Sequence, residues 1–464
     1  MNQIDKFKNN RFYSAQFAQL MQQLEERPAT FGNAGSNGYE DLYQVASWPF
    51  IISRERVAHF DRFIGRLHDI YWKAIQIFFA GDAEKFSQYL NVPALAYTIL
   101  QEYGCDRSQI LGRHDILFCN GQLKLIEVNS GSSIGGWQTG VFEAELRSLL
   151  ASVDLAATGE IRHRNAMESM FSSLLDAISQ QQAAQAEANI LLFGIEDDVW
   201  QAEISSRFAL VAQDRSRRGV RPGKLLFASD WSQIRFSHSG KVCVGSEAVD
   251  AILLVHAENN VIPPVIQMKL TSAHLANKLV MPDSGRSTLW GNKLLMALVH
   301  EPEVLSQLDA EERAWVREYI PFTVPLCERA LAWRGTWWEL SEMLKRRKDD
   351  FVIKKAHSLQ GRDVFIGKFL DSETWTAIID DHLGVSDWLA QEYCVPDMVW
   401  GPGTAGNLIE YSLIWGVFDT GGRYGGSYVR GVPAGHGNGV INAATGAARF
   451  TVFEDAVRKS RISL

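Results

Sequence analysis

Glu127 and Asn129 stand two apart at the end of the apolar run Leu125-Ile126-Glu127-Val128-Asn129. In a strand that spacing points both side chains to one face, and their oxygens are the hard donors that magnesium prefers. Upstream, Arg113-His114-Asp115 opens a second apolar stretch, and Asn120-Gly121 between the two reads as the turn of a β-hairpin. The turn decides the geometry. An odd-length loop such as Cys119-Asn120-Gly121, with Gly121 in the left-handed region, puts Arg113, Asp115, Glu127 and Asn129 on one face, whereas a strict two-residue Asn-Gly turn splits them between opposite faces. Each residue alone is an ordinary polar group on the wet face of an edge hairpin. Four of them, gathered where a tightly apolar strand meets the small-residue run Ser130-Gly131-Ser132-Ser133-Ile134-Gly135-Gly136, favour a cation site.

Phe351-Val352-Ile353-Lys354-Lys355-Ala356 reads as a second strand, followed by a polar loop from His357 to Asp363 and another strand from Val364 to Gly367. A lysine inside an apolar strand beside such a loop can hold nucleotide phosphates between its ammonium and the loop's backbone N–H groups. The competing reading is an edge-strand lysine that snorkels to water. Trp290-Gly291-Asn292-Lys293 brings another lysine to a helix start, and Trp388 to Tyr393 is a strand whose polar end suits an adenine edge and ribose hydroxyls. No Walker motif is present: the approach from Gly285 to Lys293 has the wrong spacing and no Ser or Thr after the lysine. Lys345 to Asp350 reads as a solvated helix end, Trp333, Trp337 and Trp338 as helix packing, His256 as a core residue and His436 as a turn. The histidines lack ligand-type spacing, and nothing marks Cys119 or Cys394 as an activated thiolate.

The elements that must position these groups come from a chain of 464 residues, 46% hydrophobic and 22% charged, with apolar surface enough for two or three domains. A net charge of −8 offers no field to hold nucleic acid or an anionic membrane. Five cysteines without a CxxC pair argue against a disulfide framework or structural zinc and point to a reducing, cytoplasmic setting. The N-terminal segment lacks a signal-peptide core, and no apolar run nears the roughly 18 residues that span a bilayer, so a soluble protein is expected. Apolar spacing predicts helices over Arg54–Phe79 and Pro93–Tyr103. Ile190–Gly194, Leu225–Ala228 and Ala251–Val255 read as parallel strands around a helix over Val199–Val211, with a local hairpin at Ser239-Gly240.

Together these segments resemble the ATP-grasp superfamily in its circularly permuted form, the branch that includes glutathionylspermidine synthetase-like enzymes. In the usual order the phosphate lysines and adenine linker precede the Asp and Glu-x-Asn magnesium ligands; here the hairpin comes first. The resemblance runs from about Arg113 to Asn442, and more weakly into Pro49–Phe79. It implies an α/β fold of ATP-grasp architecture with α+β lobes. The expected parts are a mostly helical region over 1–105, a magnesium-bearing sheet with helices over 106–187, a small parallel α/β unit over 188–285 and an ATP-binding lobe with Gly-rich strands over 286–464.

Carried over by position, the resemblance implies Asp115, Glu127 and Asn129 as magnesium ligands, with Arg113 on the transferred phosphate and Arg430 near the reacting centre. Lys293 and Lys354 would bind ATP phosphates, Ser358 to Asp363 with Gly361 would cover them, and Gln391 and Glu392 would meet adenine and ribose. Lys355 stands where the family usually has proline, and Gly361 is alone where the family has more glycines. The implied activity is an ATP- and Mg2+-dependent ligase that joins a small-molecule carboxylate, an amino acid or peptide, to an amine through an acylphosphate, releasing ADP and phosphate. A phosphotransferase on the same scaffold and a non-catalytic nucleotide-binding protein are the alternatives.

Overall fold

The computed structural model describes residues 10–26, 45–153, 155, 160–181, 187–217, 223–255, 261–358, 363–403, 407–435, 437–442 and 446–456. Phe50–Ile52 (β1) leads into the helix Arg54–Phe79 (α1), which has the bounds that its apolar periodicity predicts. Ser53 caps its first turn by accepting the Arg56 N–H, and Ala80 in the left-handed conformation ends it. Phe60, Ile64, Leu67 and Ile70 are buried on its inner face in one core with Trp415, Val417 and Phe450.

Leu111–Cys119 (β2) and Gln122–Ser130 (β3) form the expected hairpin. Its turn is the two-residue one: Cys119 pairs with Gln122, and Asn120 and Gly121 both take positive φ, 52° and 77°. The odd-length loop is therefore not what aligns the strands. Ile116 pairs with Leu125 but Asp115 pairs with Glu127, so Ile126 is an extra residue, a β-bulge that sets Arg113 opposite Asn129.

Ile161–His163 (β4) and the helix Ala166–Gln181 (α2) lead to the small unit. There Ile190–Phe193 (β5) and Leu225–Ala228 (β6), joined through the helix Asp198–Arg217 (α3), pair in parallel. Ile234–Phe236 (β7), Val242–Val244 (β8) and Glu247–Val249 (β9) make a short antiparallel sheet that turns at Gly240, before Ala251–Leu254 (β10) returns to the other side of β5. The resulting order, β10-β5-β6, is the parallel unit read from the sequence. His256 lies just beyond it, outside the described residues.

Thr323–Pro325 (β11), Ala330–Trp333 (β12), Thr336–Glu339 (β13), Phe351–Lys355 (β14), Val364–Ile366 (β15) and Trp388–Glu392 (β16) follow. Four of them form an antiparallel sheet in the order β11-β16-β14-β15. The other two, β12 and β13, make a hairpin that turns through Arg334 and Gly335 at φ 48° and 78°. Trp333, Trp337 and Trp338 therefore belong to a hairpin and not to a helix. Strand alternation buries Trp333 and leaves Trp337 75% exposed.

Met398–Pro402 (β17), Leu408–Thr420 (β18), Tyr424–Pro433 (β19) and Ala448–Asp455 (β20) complete the first sheet, ordered β1-β20-β19-β18-β2-β3 with β17 beside β18 and β4 beside β20. The chain from 286 onward, one lobe in the sequence reading, thus serves the four-stranded sheet, the β12-β13 hairpin and the large sheet, because pairing with a strand from the first third of the chain leaves no local mark. No helix among the described residues is long and apolar enough to cross a membrane.

The core beneath the large sheet sets a first test. Leu67→Ala, in fully packed surroundings, is expected to cost about 2–5 kcal/mol in urea unfolding, against less than about 0.5 kcal/mol for Trp337→Ala on the exposed hairpin. Equal losses would place the stabilising core elsewhere.

Candidate active site

The bulge keeps Arg113, Asp115, Glu127 and Asn129 on one face of the sheet, the outcome that the odd-length loop was expected to produce. The Arg113 guanidinium forks onto Asp115, Nε to Oδ1 at 2.7 Å and Nη2 to Oδ2 at 2.9 Å. Arg430, on β19, donates Nη2 to the same Oδ2 at 2.6 Å. Asp115 is only 2% exposed. Burial pushes its carboxyl up, but the two guanidinium charges outweigh burial and hold it well below the usual carboxylate range. Asn129 Nδ2 donates to Asp115 Oδ2 at 3.2 Å and to Glu127 Oε1 at 3.3 Å.

The Tyr428 ring lies beside both guanidiniums, its centroid 5.7 Å from Arg113 Cζ and 5.8 Å from Arg430 Cζ. Gly136 and Gly416 leave room for that ring, since a Cβ on either would come within 2.2 Å of its edge. No sequence pattern singles out Tyr428 or these glycines. Register alone brings them here, with Gly416 opposite Asp115 on one side and Tyr428 on the other. Arg113 Nη1 also donates to the Gly135 carbonyl at 2.8 Å, drawing the small-residue run against the site. Asp283 anchors the same run, accepting from the N–H of Ser132 at 2.7 Å and of Leu254 at 2.9 Å.

Alternation along β14 buries Lys354 and leaves Lys355 half-buried on the opposite face. Lys354 Nζ donates to Gln391 Oε1 at 2.6 Å and to the carbonyl of the bulge residue Ile126 at 3.1 Å. Burial lowers its pKa to about 8, against the pull of Glu127. Lys293, at the start of the short helix Leu294–Leu298, donates to the carbonyls of Ser358 at 3.2 Å and Ala356 at 3.4 Å, and its Nζ stands 3.5 Å from Glu127 Oε2. The two lysines therefore approach the hairpin from the second sheet's side.

Gln391 sits differently from the sequence reading. It is 1% exposed, with Oε1 on Lys354 and Nε2 donating to Thr323 Oγ1 at 3.2 Å, so its amide holds a lysine and is not open to an adenine. Glu392 accepts from Arg334 Nη2 at 2.6 Å. Ser358 contributes its carbonyl, while residues 359–362, with Gly361 among them, and His436 lie outside the described residues.

A cleft of about 110 Å³ between the two sheets is lined by the charged residues Asp115, Glu127, Lys354 and Arg430. Val352, Val364 and Ile366 line it from one sheet, and Leu117 and Ile414 from the other. These apolar residues look like any strand interior in sequence, and they become a slot only when two sheets face each other. Its form suits a flat ring between apolar walls and a polyanion at the charged end. Two carboxylates and an amide supply oxygen donors of the kind magnesium takes, with Glu127 the more open carboxylate and Asp115 shared between guanidiniums.

On the opposite face of β2, His114 Nε2 lies 3.2 Å and His68 Nε2 of α1 2.5 Å from Asp419 Oδ2, while the Gly422 N–H donates to Oδ1 at 2.8 Å. These two histidines and Asp419 bring ligand-type atoms within 4.8 Å of one another, a grouping invisible in the spacing of the histidines. It fastens α1 beneath the strand that carries Arg113 and Asp115.

The clamp on Asp115 generates a stability test. Asp115→Asn leaves two buried guanidiniums without their counter-charge and is expected to cost about 3–5 kcal/mol in urea unfolding. Glu127→Gln, at a carboxylate that is more open and has Lys293 3.5 Å away, is expected to cost less than Asp115→Asn. A mild Asp115→Asn would mean that the guanidiniums are satisfied elsewhere.

No protein-family model and no curated relative matches this sequence. Among solved structures, the chain is similar to a glutathione synthetase-like effector from Globodera pallida, with TM-score 0.57 and 11% identity over 88% of this chain and 90% of that one. Lower likenesses are to a protein described as a gamma-glutamylcysteine synthetase from Methylobacillus flagellatus and to D-alanyl-alanine synthetase A from Vibrio cholerae. The first has TM-score 0.41 and 11% identity over 82% and 86% of the two chains, the second 0.25 and 13% over 50% and 68%. At such identities the likeness to the effector is one of fold, extending over nearly the whole of both chains.

Proposed function

We propose that this chain is an ATP-dependent carboxylate–amine ligase of the permuted ATP-grasp type. One observation carries the reading: Asp115, Glu127, Lys354 and Arg430 line an apolar slot, and Arg113 and Lys293 stand against the same two carboxylates. Four cations against two carboxylates suit a triphosphate whose terminal phosphoryl group is leaving. The apolar walls would hold the adenine, the end of β16 would lie along its edge, and Glu392 would meet the ribose. Gln391 positions Lys354. Magnesium, held by Asp115, Glu127 and Asn129, would neutralise charge on the phosphate oxygens.

The chain's own residues have defined tasks in this reaction. Arg113 and Arg430, kept in place by Asp115 and Tyr428, stabilise negative charge on the phosphoryl oxygens as the substrate carboxylate oxygen attacks the γ-phosphorus and ADP departs with the bridging oxygen. The amine then attacks the acylphosphate carbon and phosphate departs, leaving an amide. A protein nucleophile is not needed. Burial pushes the thiol of Cys394, which lines the slot, up to about 12, so it is neutral near pH 7.

Oxygen-18 in the substrate carboxylate tests the chemistry. Label is expected in the released phosphate, because the attacking oxygen leaves with phosphorus; label kept in a phosphorylated product would indicate a kinase, and label in AMP would overturn the family assignment.

Lys354 gives a pH test. With its free-protein pKa lowered to about 8, the ammonium that meets phosphate is present below that pH and lost above it. ADP affinity, measured by calorimetry, is expected to weaken from pH 7 to pH 9.5 and to become weak and flat in Lys354→Met. An unchanged profile in that variant would remove Lys354 from the phosphate site.

A further inference from the structure

A second cavity, of about 50 Å³, lies on the same face of the large sheet as Arg113. Leu111 precedes Arg113 by two residues in β2 and points the same way, Phe418 pairs with Arg113 across β18, and both line this cavity. Its opposite wall is the small parallel unit. Leu192 of β5 and Leu253 of β10 line it, together with Ile195 and Val255 just past those strands. The chain leaves β5 for β6 on one side and comes back as β10 on the other, so the strand order reverses between β5 and β10. A crevice beyond the carboxyl ends of strands at such a reversal is where open parallel sheets receive ligands.

The lining chemistry defines what fits. Among the described residues Asp419 is the one acidic residue lining the cavity, and its carboxylate turns to the other face of the sheet, onto His68, His114 and the Gly422 N–H. A charged group placed there would lose its hydration without gaining a partner, while hydrocarbon would gain from leaving water. At about 10–15 Å³ per water on this measure, the space equals roughly three to five waters, comparable to a branched aliphatic side chain. Met167 and Met170 in the wall can shift to admit a larger group.

Two features join this cavity to the charged site. The run Ser130–Gly136 borders both, with Ser132 and Ile134 facing the cavity and the Gly135 carbonyl accepting from Arg113. Phe418 in the cavity wall stacks on Tyr428, 5.9 Å between centroids, and Tyr428 in turn lies beside Arg113 and Arg430. Leu111 and Arg113 are about 7 Å apart along the strand, the span between the carboxylate and the side-chain end of one amino acid.

We propose that this cavity receives an apolar side chain of the acid substrate, which is therefore an amino acid or short peptide carrying an aliphatic or aromatic residue beside the reacting carboxylate. The assignment of the carboxylate to Arg113 rests on the ligase reading above; the apolar preference rests on the cavity itself.

Calorimetric titration tests it, using the full-length protein with magnesium and the non-hydrolysable analogue AMP-PNP, and L-leucine, L-phenylalanine, L-serine and L-glutamate as probes. Leucine and phenylalanine are expected to bind at least tenfold tighter than serine and glutamate. Met170→Trp, which fills the cavity, is expected to abolish that difference while AMP-PNP still binds. Ile204→Ala, which enlarges it, is expected to shift preference from leucine toward phenylalanine, and supplies the comparison if the tryptophan variant does not fold. Equal affinities, a preference for glutamate, or no binding of any of the four while AMP-PNP binds would overturn the cavity assignment and leave the nucleotide site standing. Failure of AMP-PNP to bind would overturn the ligase reading, and the leucine-to-glutamate ratio without nucleotide would still decide the cavity.

Discussion

Side chains alternate along a strand with period two, so a hairpin turning at Asn120-Gly121 sends Glu127 and Asn129 away from Arg113 and Asp115 unless one residue is added to one strand. Ile126 is that residue. The bulge returns all four side chains to one face, and its carbonyl accepts Lys354 Nζ from the second sheet. One local irregularity thus aligns the polar groups of the first sheet and gives the second sheet a point of attachment. The cleft between the sheets, with charge at one end and hydrocarbon along its walls, follows from it.

The charges that the bulge gathers are buried, and burial makes them interdependent. Taking a carboxylate and two guanidiniums out of water is costly, and the arrangement holds because Arg113 forks onto Asp115 while Arg430 and Asn129 also donate to Oδ2. Tyr428, wedged where Gly136 and Gly416 have no side chains, limits the movement of both guanidiniums. Below the sheet the same economy of partners recurs in reverse sign, with Asp419 held by two imidazoles and a backbone N–H. Strand β2 therefore carries paired polar groups on both faces, Arg113 and Asp115 on one and His114 on the other, and is fixed from above and below.

How much of the site was legible varies with the kind of signal. The burial of Lys354 was legible because a lysine within an apolar strand must find a partner, and alternation separated it from Lys355. The place of Lys293 at a helix start was legible, and it stands there. Gln391 misled, because a polar strand end suits a ligand equally well whether the side chain faces the cleft or a neighbouring lysine. Pairing with β14 turned it toward Lys354. The tryptophans near 333 misled because a two-residue left-handed turn at Arg334-Gly335 is a small interruption in an otherwise helical stretch of sequence. Tyr428, Gly416 and the apolar walls of the slot were unreadable, since each matters only through a neighbour on another strand.

By itself the sequence determined what a short window contains: the span of α1, the parallel strands of the small unit, the lysine hairpin and the residue types at the end of β3. These depend on periodicity and turn chemistry, which neighbouring residues carry among themselves. Tertiary structure decided which faces meet. The insertion of β18 and β19 beside β2, the approach of Arg430 to Asp115 and the meeting of His68 with Asp419 join residues hundreds of positions apart. Such contacts are chosen by pairing register and by the packing of whole sheets against helices, and no local pattern encodes them.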